Sequence, residues 1–207
     1  RFMREASAAG RIGSRHIIET FDAGQLPGGE PYLVMELLRG QTLADLLEKE
    51  GRLGVGLALE IVRQSAIGIH AAHAAGIVHR DLKPENLFLI EGPEPQVKIL
   101  DFGISKFDPE LTGTPSLTTD GTTLGTPYYM SPEQVRGGAP VDGQADVYAL
   151  GVVLYECLTG KPPFHAETLP ALCVLIHEGK YEAPSALRPD ITQAVQDVIA
   201  KAMERST

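Results

Sequence analysis

Tryptophan is absent from the chain, and aromatic residues make up only 6% of its 207 positions. Cysteine is almost absent too. Cys157 and Cys173 form no C-x-x-C pair, and two thiols are too few for a zinc module or for the bridges of a secreted scaffold. Two reduced thiols inside a cytosolic fold are the expectation. Positive charge is scarce: 18 Lys and Arg stand against 27 Asp and Glu, for a net charge of -9. That balance argues against broad nucleic-acid binding, which needs cations facing phosphates. No run approaches the roughly 18 apolar residues of a membrane helix. The best candidate, Val147 to Leu158, is short and contains Glu156. The start, Arg1-Phe2-Met3-Arg4-Glu5, has no apolar stretch after it and does not read as a signal peptide. Internal repeats and domain linkers are lacking as well.

What is present suits one globular domain. Hydrophobic residues make up 43% of the chain and charged residues 22%, and a chain of this length can bury roughly 70% of its unfolded surface. Residues 1 to about 13 fit an amphipathic helix, with Phe2, Ala6, Ala9 and Ile12 or Gly13 at helical spacing. His16 to Asp22 and Pro31 to Leu37 are β-rich, and Gly24 to Gly29 forms a turn, which predicts a hairpin. Thr42 followed by Asp45 reads as a capping box opening a helix to Glu50. A longer helix is predicted from Leu57 to about Ala75, with Val62, Ala66, Ile69 and His73 along one stripe and Gly76 ending it. Short strands follow at Ile77-Val78, Leu87 to Ile90 and Val97 to Leu100. Residues 104 to 127 are rich in Thr, Ser, Gly, Pro and Asp without periodicity, the texture of a loop that is either functional or disordered. Residues 144 to 159 form the most apolar helix, expected to be buried all round, and Pro-rich breaks at Lys161-Pro162-Pro163 and Ala183-Pro184 divide the rest.

Three segments carry chemistry together. His79-Arg80-Asp81-Leu82-Lys83-Pro84-Glu85-Asn86 lies between two predicted strands. Asp101-Phe102-Gly103 follows the next strand, and Gly125-Thr126-Pro127-Tyr128-Tyr129-Met130-Ser131-Pro132-Glu133 closes the polar loop. Taken singly, Asp81 is a turn residue and Asp101 a strand-end cap. No structural need demands the whole ordered set. In order and spacing it closely resembles the protein kinase superfamily. The L-K-P-E-N form resembles the serine/threonine branch, since tyrosine kinases typically carry an arginine in a different local pattern, and G-T-P-Y-Y-M-S-P-E-Q is most similar to bacterial members.

The resemblance implies an α+β, bilobal kinase-like fold: residues 1–35 as a partial small lobe, 36–207 as hinge and mostly helical large lobe. It implies transfer of the γ-phosphate of ATP to Ser/Thr hydroxyls of protein substrates. Phosphoryl transfer relies mainly on positioning and electrostatics. Asp81 would orient the attacking hydroxyl and accept its proton, and Lys83 would offset charge on the transferred group. Asn86 and Asp101 match the family's ligands for Mg²⁺ (Mn²⁺ as the alternative), a cation that prefers hard oxygen. Gly103 would let Asp101 swing. Glu5 in Arg4-Glu5-Ala6 resembles the partner of the nucleotide-binding lysine; by itself it is an ordinary solvated helix charge. Met35 would be the gatekeeper, the backbone of Glu36 and Leu38 would bond the adenine edge, and Phe88 would lie under the ring. Arg80 would hold a phosphate on the loop, with Thr118, Thr119, Thr122 and Thr123 as candidate acceptors. Composition alone makes these threonines merely a polar loop. Thr126 matches the threonine that faces substrate.

Asp146 would hold the backbone of the H-R-D turn, because a buried carboxylate needs such donors. Ser131 stands where the family usually has alanine. Glu133 would pair with an arginine lying beyond Thr207. His79 is expected to pack beside Phe102, whereas His70 and His73 share a helix face but have no evident third ligand for a metal. The Gly-rich loop and the V-A-x-K strand are not found; Gly10 to Ser14 follows the predicted first helix and is no substitute. The chain is therefore read as part of a kinase domain with little activity of its own, its short hairpin leaving an open edge. The location read from the sequence is cytoplasmic, with any membrane anchor outside this window, and self-association is expected to serve autophosphorylation. A pseudokinase-like binding or scaffold module is the alternative, weakened by the intact catalytic loop.

Overall fold

The computed structural model describes residues 12–102, 127–138 and 141–204. Strands β1 (Thr20–Gln25) and β2 (Pro31–Met35) form the anticipated antiparallel hairpin, paired from Thr20↔Met35 to Gln25↔Pro31. Its turn closes through the Leu26 N–H donating to the Glu30 carbonyl at 2.8 Å, with Gly29 at φ +88°. The β-rich stretch before Thr20 does something else. Ile17 bridges Ile99 in parallel, and the Ile18 N–H donates to the Ile99 carbonyl at 3.0 Å. Residues 16–18 are thus laid along the second sheet, outside the hairpin.

That second sheet has the order β3 (Gly40–Thr42), β4 (Leu87–Ile90), β5 (Gln96–Ile99), all antiparallel. The first of these was not anticipated, because Gly-Gln-Thr has no apolar alternation to announce it. Gly40 is nonetheless required: at φ +145° an added Cβ would stand 2.0 Å from the Leu89 carbonyl oxygen. Ile77-Val78, expected as a strand, is not one. After Gly76 turns at φ +77°, the Ile77 N–H folds back to the Ala72 carbonyl at 2.9 Å.

Helix α1 (Leu43–Glu50) starts on the predicted capping box: Thr42 accepts from the Asp45 N–H, and the Asp45 carboxylate accepts from the Thr42 N–H. Helix α2 (Val55–Ala74) begins two residues earlier than predicted. Its buried face is also rotated. Ala58, Ile61, Ser65, Gly68, Ile69 and Ala72 are covered, whereas Ala66 is exposed. Small residues mark this face because the sheet approaches closely. A Cβ on Gly68 would meet Ile99 Cδ1 at 2.7 Å. Gln64 then ties the β4–β5 turn to the helix, donating to the Pro95 carbonyl at 2.7 Å and accepting from the Val97 N–H at 2.8 Å.

The short helix α3 (Pro132–Arg136) is followed by α4 (Gln144–Thr159), the predicted apolar helix. Twelve of its residues are buried, but Val147 is 47% exposed, so it is not covered on every side. Helices α5 (Leu169–Glu178), α6 (Pro184–Leu187) and α7 (Gln193–Ala202) complete the fold, with α2 and α7 both packed on α4. Pro184 opens α6, where a missing N–H costs nothing. Ile61, Leu87, Ile99, Leu154 and Ile199 are fully buried in one core. Each such side chain contributes roughly 1.5–3 kcal/mol over leaving it exposed.

Candidate active site

The polar residues singled out in the sequence converge between the second sheet and the N-terminus of α4. Asp146, 1% exposed in the first turn of that helix, is the organising group. Its Oδ2 accepts from the His79 N–H at 2.8 Å and its Oδ1 from the Arg80 N–H at 2.8 Å. His73 Nε2 lies 2.7 Å from Oδ2, so helix α2 also contributes. The expectation that Asp146 holds this turn is met. The role of His73 was missed; it shares a helix face with His70 but is committed to Asp146.

His79 is buried, and its ring sits 4.8 Å from Phe102, centroid to centroid, as expected. Burial holds its pKa below the ordinary histidine value, against the opposing pull of the Leu100 carbonyl and of Asp146, Asp81 and Asp101. The neutral ring places its hydrogen on Nε2, which donates to the Leu100 carbonyl at 2.8 Å, and leaves Nδ1 to accept from the Asp81 N–H at 3.3 Å. One imidazole thereby joins the H-R-D turn to the residue before Asp101.

Two backbones here are left-handed without being glycine: Arg80 at φ +65° and Asp101 at φ +45°. Such conformations cost about 1–3 kcal/mol each and persist only where neighbours over-determine them. Asn86, 6% exposed, helps to do so: its Nδ2 donates to the Asp81 carbonyl at 2.7 Å, and its own carbonyl accepts from the Leu100 N–H at 2.8 Å. Lys83 Nζ stands 3.7 Å from Asp81 Oδ2. Asp101 is exposed while Phe102 beside it is buried, which aims the carboxylate out of the core. Arg80 Nε is buried without a hydrogen-bond partner among the described residues.

The hinge residues lie beyond β2. Met35 is 38% exposed. Among the described residues, neither the Glu36 carbonyl nor the Leu38 N–H has a hydrogen-bond partner. Phe88 in β4 pairs with Lys98 in β5, so the two side chains share a sheet face. Lys98 was overlooked in the sequence. It is 9% exposed and forms an ion pair with Glu36 Oε1, while the same oxygen accepts from the Glu19 N–H at 2.7 Å. Burial works against the Glu36 charge. The bonds from Lys98 and the Glu19 N–H outweigh it and hold the pKa below the ordinary carboxylate value. A second unforeseen pair joins Tyr129 to Glu156 in α4, oxygen to oxygen at 2.6 Å.

Among the described residues, no three His, Cys, Asp or Glu side chains gather into a metal-binding cluster. Beside the H-R-D turn, Asn86 offers an amide oxygen and Asp101 an exposed carboxylate. That small hard-oxygen set fits a Mg²⁺ ion that completes its shell with waters and phosphate oxygens. Glu5, Thr118, Thr119, Thr122, Thr123 and Thr126, with Gly103, lie outside the described residues.

The model of the protein kinase domain family matches residues 1–206. The chain belongs to the protein kinase family. Similar proteins include the serine/threonine-protein kinases pkn3 of Myxococcus xanthus, 39% identical over all of this chain and 38% of its own length, and Pkn1 of the same organism, 42% identical over 99% of the chain and 29% of its own. PknE of Mycobacterium tuberculosis is 39% identical over the whole chain. The chain thus spans little more than a third of these kinases at most, 38%, 29% and 35% of them respectively. In fold it resembles the crystal structure of Rad53 1-466 in complex with AMP-PNP, with a TM-score of 0.81, 28% identity and coverage of 98% of this chain and 49% of that one. The α+β kinase fold expected from the sequence is the fold observed.

Proposed function

We propose that the protein carrying this chain is an ATP-dependent serine/threonine protein kinase, with Asp81 as the base that receives the substrate hydroxyl. The observation that carries this reading is the over-determination of Asp81. Its N–H reaches His79 Nδ1, its carbonyl takes the Asn86 amide, and its carboxylate faces Lys83 at 3.7 Å. Two of these contacts fix the backbone on either side of the side chain, and the third sets a cation beside the carboxylate. The arrangement supports a carboxylate held still to orient a Ser or Thr hydroxyl and take its proton as that oxygen attacks phosphorus, with the Lys83 ammonium offsetting the charge on the transferred phosphoryl group.

Asn86 and Asp101 would hold Mg²⁺ or Mn²⁺. That ion, when bound, supplies neutralisation of the phosphate charge. The adenine would meet the Glu36 carbonyl and Leu38 N–H, with Met35 at its back and Phe88 below. The AMP-PNP of the Rad53 complex supports a nucleotide site in a fold like this one. The names of the relatives support protein substrates and a bacterial setting. No described helix is long and apolar enough to cross a membrane; a cytoplasmic catalytic domain and self-association for autophosphorylation belong to the same reading.

The test is phosphate transfer from radiolabelled ATP to casein by the full natural protein and its Asp81→Asn variant. Loss of the base is expected to lower kcat by about 10²- to 10⁴-fold, with the ATP KM little changed. Equal kcat in the two proteins would refute the assignment.

A further inference from the structure

The left-handed Arg80 poses a question that Asp146 answers only in part. Asp146 fixes the peptide before Arg80 by accepting its N–H. The peptide after it contains the Arg80 carbonyl and the Asp81 N–H, and its plane sets the direction of the Asp81 side chain. His79 Nδ1 holds the N–H end weakly, at 3.3 Å. The carbonyl end is held from a different part of the chain: Gln134 Nε2 donates to the Arg80 carbonyl at 2.7 Å across 54 residues of sequence.

Gln134 is itself fixed. It is the third residue of α3, and its Oε1 accepts from the Ser131 N–H at 3.0 Å and from the Ser131 hydroxyl at 3.3 Å. One planar amide therefore caps a helix with its oxygen and clamps the catalytic turn with its nitrogen. Glutamine supplies both ends at a fixed spacing. Glutamate at the same position, common in capping boxes, would supply only the first. Helix α3, with its cap Ser131, follows on Tyr129 and Met130. These two residues line a small cleft together with Arg80, Asp81, Gln134 and Asp146.

We propose that Gln134 is a positioning residue for phosphoryl transfer: its amide locks the Arg80–Asp81 peptide in the left-handed geometry that aims the Asp81 carboxylate, and so couples the segment 127–136 to the catalytic turn. The proposal rests on Asp81 being the base. Released from Gln134, Arg80 relaxes toward a right-handed or extended backbone, and Asp81 turns with it. A misplacement of about 1 Å costs on the order of 10²-fold in rate, whereas nucleotide contacts far from the turn are untouched.

Two variants of the full natural protein separate this role from simple capping. Gln134→Met keeps the shape and loses both bonds. Gln134→Glu keeps the acceptor for Ser131 and loses the donor to Arg80. Both are expected to lower kcat for casein by about tenfold to a hundredfold at an ATP KM within about twofold of the parent. Gln134→Met is expected to melt lower than the parent, and Gln134→Glu close to it. Hydrogen exchange of the amides of residues 79–82 is expected to quicken in both, with residues 144–159 unchanged. A Gln134→Glu protein with parental kcat and parental exchange would overturn the proposal and leave Gln134 as a cap alone. So would a loss confined to the ATP KM. If Asp81→Asn leaves kcat intact, the assignment of the base fails instead, and the exchange rates of residues 79–82 still report whether Gln134 holds the turn.

Discussion

Replacing Asp146 with asparagine changes one buried oxygen into an amide nitrogen, and the cost can be worked out bond by bond. Asp146 accepts two backbone N–H bonds and faces His73 Nε2. In Asp146→Asn the remaining oxygen can serve the Arg80 N–H, but as a neutral acceptor; hydrogen bonds to charged groups are worth about 1.5–3 kcal/mol against about 0.5–1.5 for neutral ones. The new NH₂ group then faces His79. His73 can shift its hydrogen to Nδ1 and accept from that amide, so its contact survives. The His79 N–H cannot adapt, since it is a donor set against a donor at a site where His79 and Asp146 are both buried. An unsatisfied buried group costs about 1–3 kcal/mol. The total is about 2–4 kcal/mol, a large share of the roughly 5–15 kcal/mol that stabilises a domain. In a domain of this size it lowers Tm by on the order of 4–16 °C. Urea unfolding followed by far-ultraviolet circular dichroism measures it without any requirement for activity. A loss below about 1 kcal/mol, at an unchanged m value, would show that the turn does not depend on this carboxylate.

Two further outcomes follow from the pairs that the sequence did not disclose. Lys98→Met is expected to destabilise the fold by about 1–2 kcal/mol, because Glu36 keeps a half-buried charge without its partner, and Glu36→Leu added to it should recover most of the loss; strictly additive losses in urea unfolding would show that the two do not act as a pair. Burial raises the Glu156 pKa above its ordinary 4.5, the Tyr129 hydroxyl opposing and Glu85 reinforcing the shift, so its stabilising contribution is fully present below that value and lost as pH rises through the folded-state pKa. Glu156→Gln is therefore expected to melt above the parent at about pH 7.5 and alongside it at about pH 4, and a parent that melts higher at neutral pH would reverse the sign of this argument.

The elements that were legible in the sequence are those whose signal is local. The capping box at Thr42 and Asp45 is a four-residue event, and it formed as written. The apolar helix over residues 144–159 announces itself by composition, and its bounds are the observed ones. Illegible features owe their conformation to distant partners. Gly-Gln-Thr at 40–42 becomes a strand only because β4 lies beside it. Ile77-Val78 has strand propensity, yet Gly76 reverses the chain and the Ile77 N–H is spent on α2. On α2 itself the spacing of Val62, Ala66, Ile69 and His73 suggested one stripe, whereas contact with the sheet selected the face bearing Gly68 and Ser65, where little side chain intervenes.

The same division runs through the active site, and it explains why chemistry was easier to read than support. Asp81, Lys83, Asn86 and Asp101 are of the types that the proposed phosphoryl transfer would require, and they lie in two short segments whose spacing is visible in one dimension. The groups that aim them come from elsewhere: His73 from α2, Asp146 from α4, Gln134 from α3. Asp146 was legible through the resemblance, whereas His73 and Gln134 are ordinary residue types at their own positions, and the left-handed Arg80 shows what the three have in common. A strained backbone between two fixed peptides stores its cost in the neighbours that hold it. In the alternative account, where this chain is a binding module without catalysis, the bonds to Asp146 and Gln134 would still stabilise the turn, but nothing would require the Asp81 carboxylate to face Lys83. The strained turn, with its carboxylate 3.7 Å from a lysine, is therefore accounted for more fully by the proposed catalytic role of Asp81 than by a binding module.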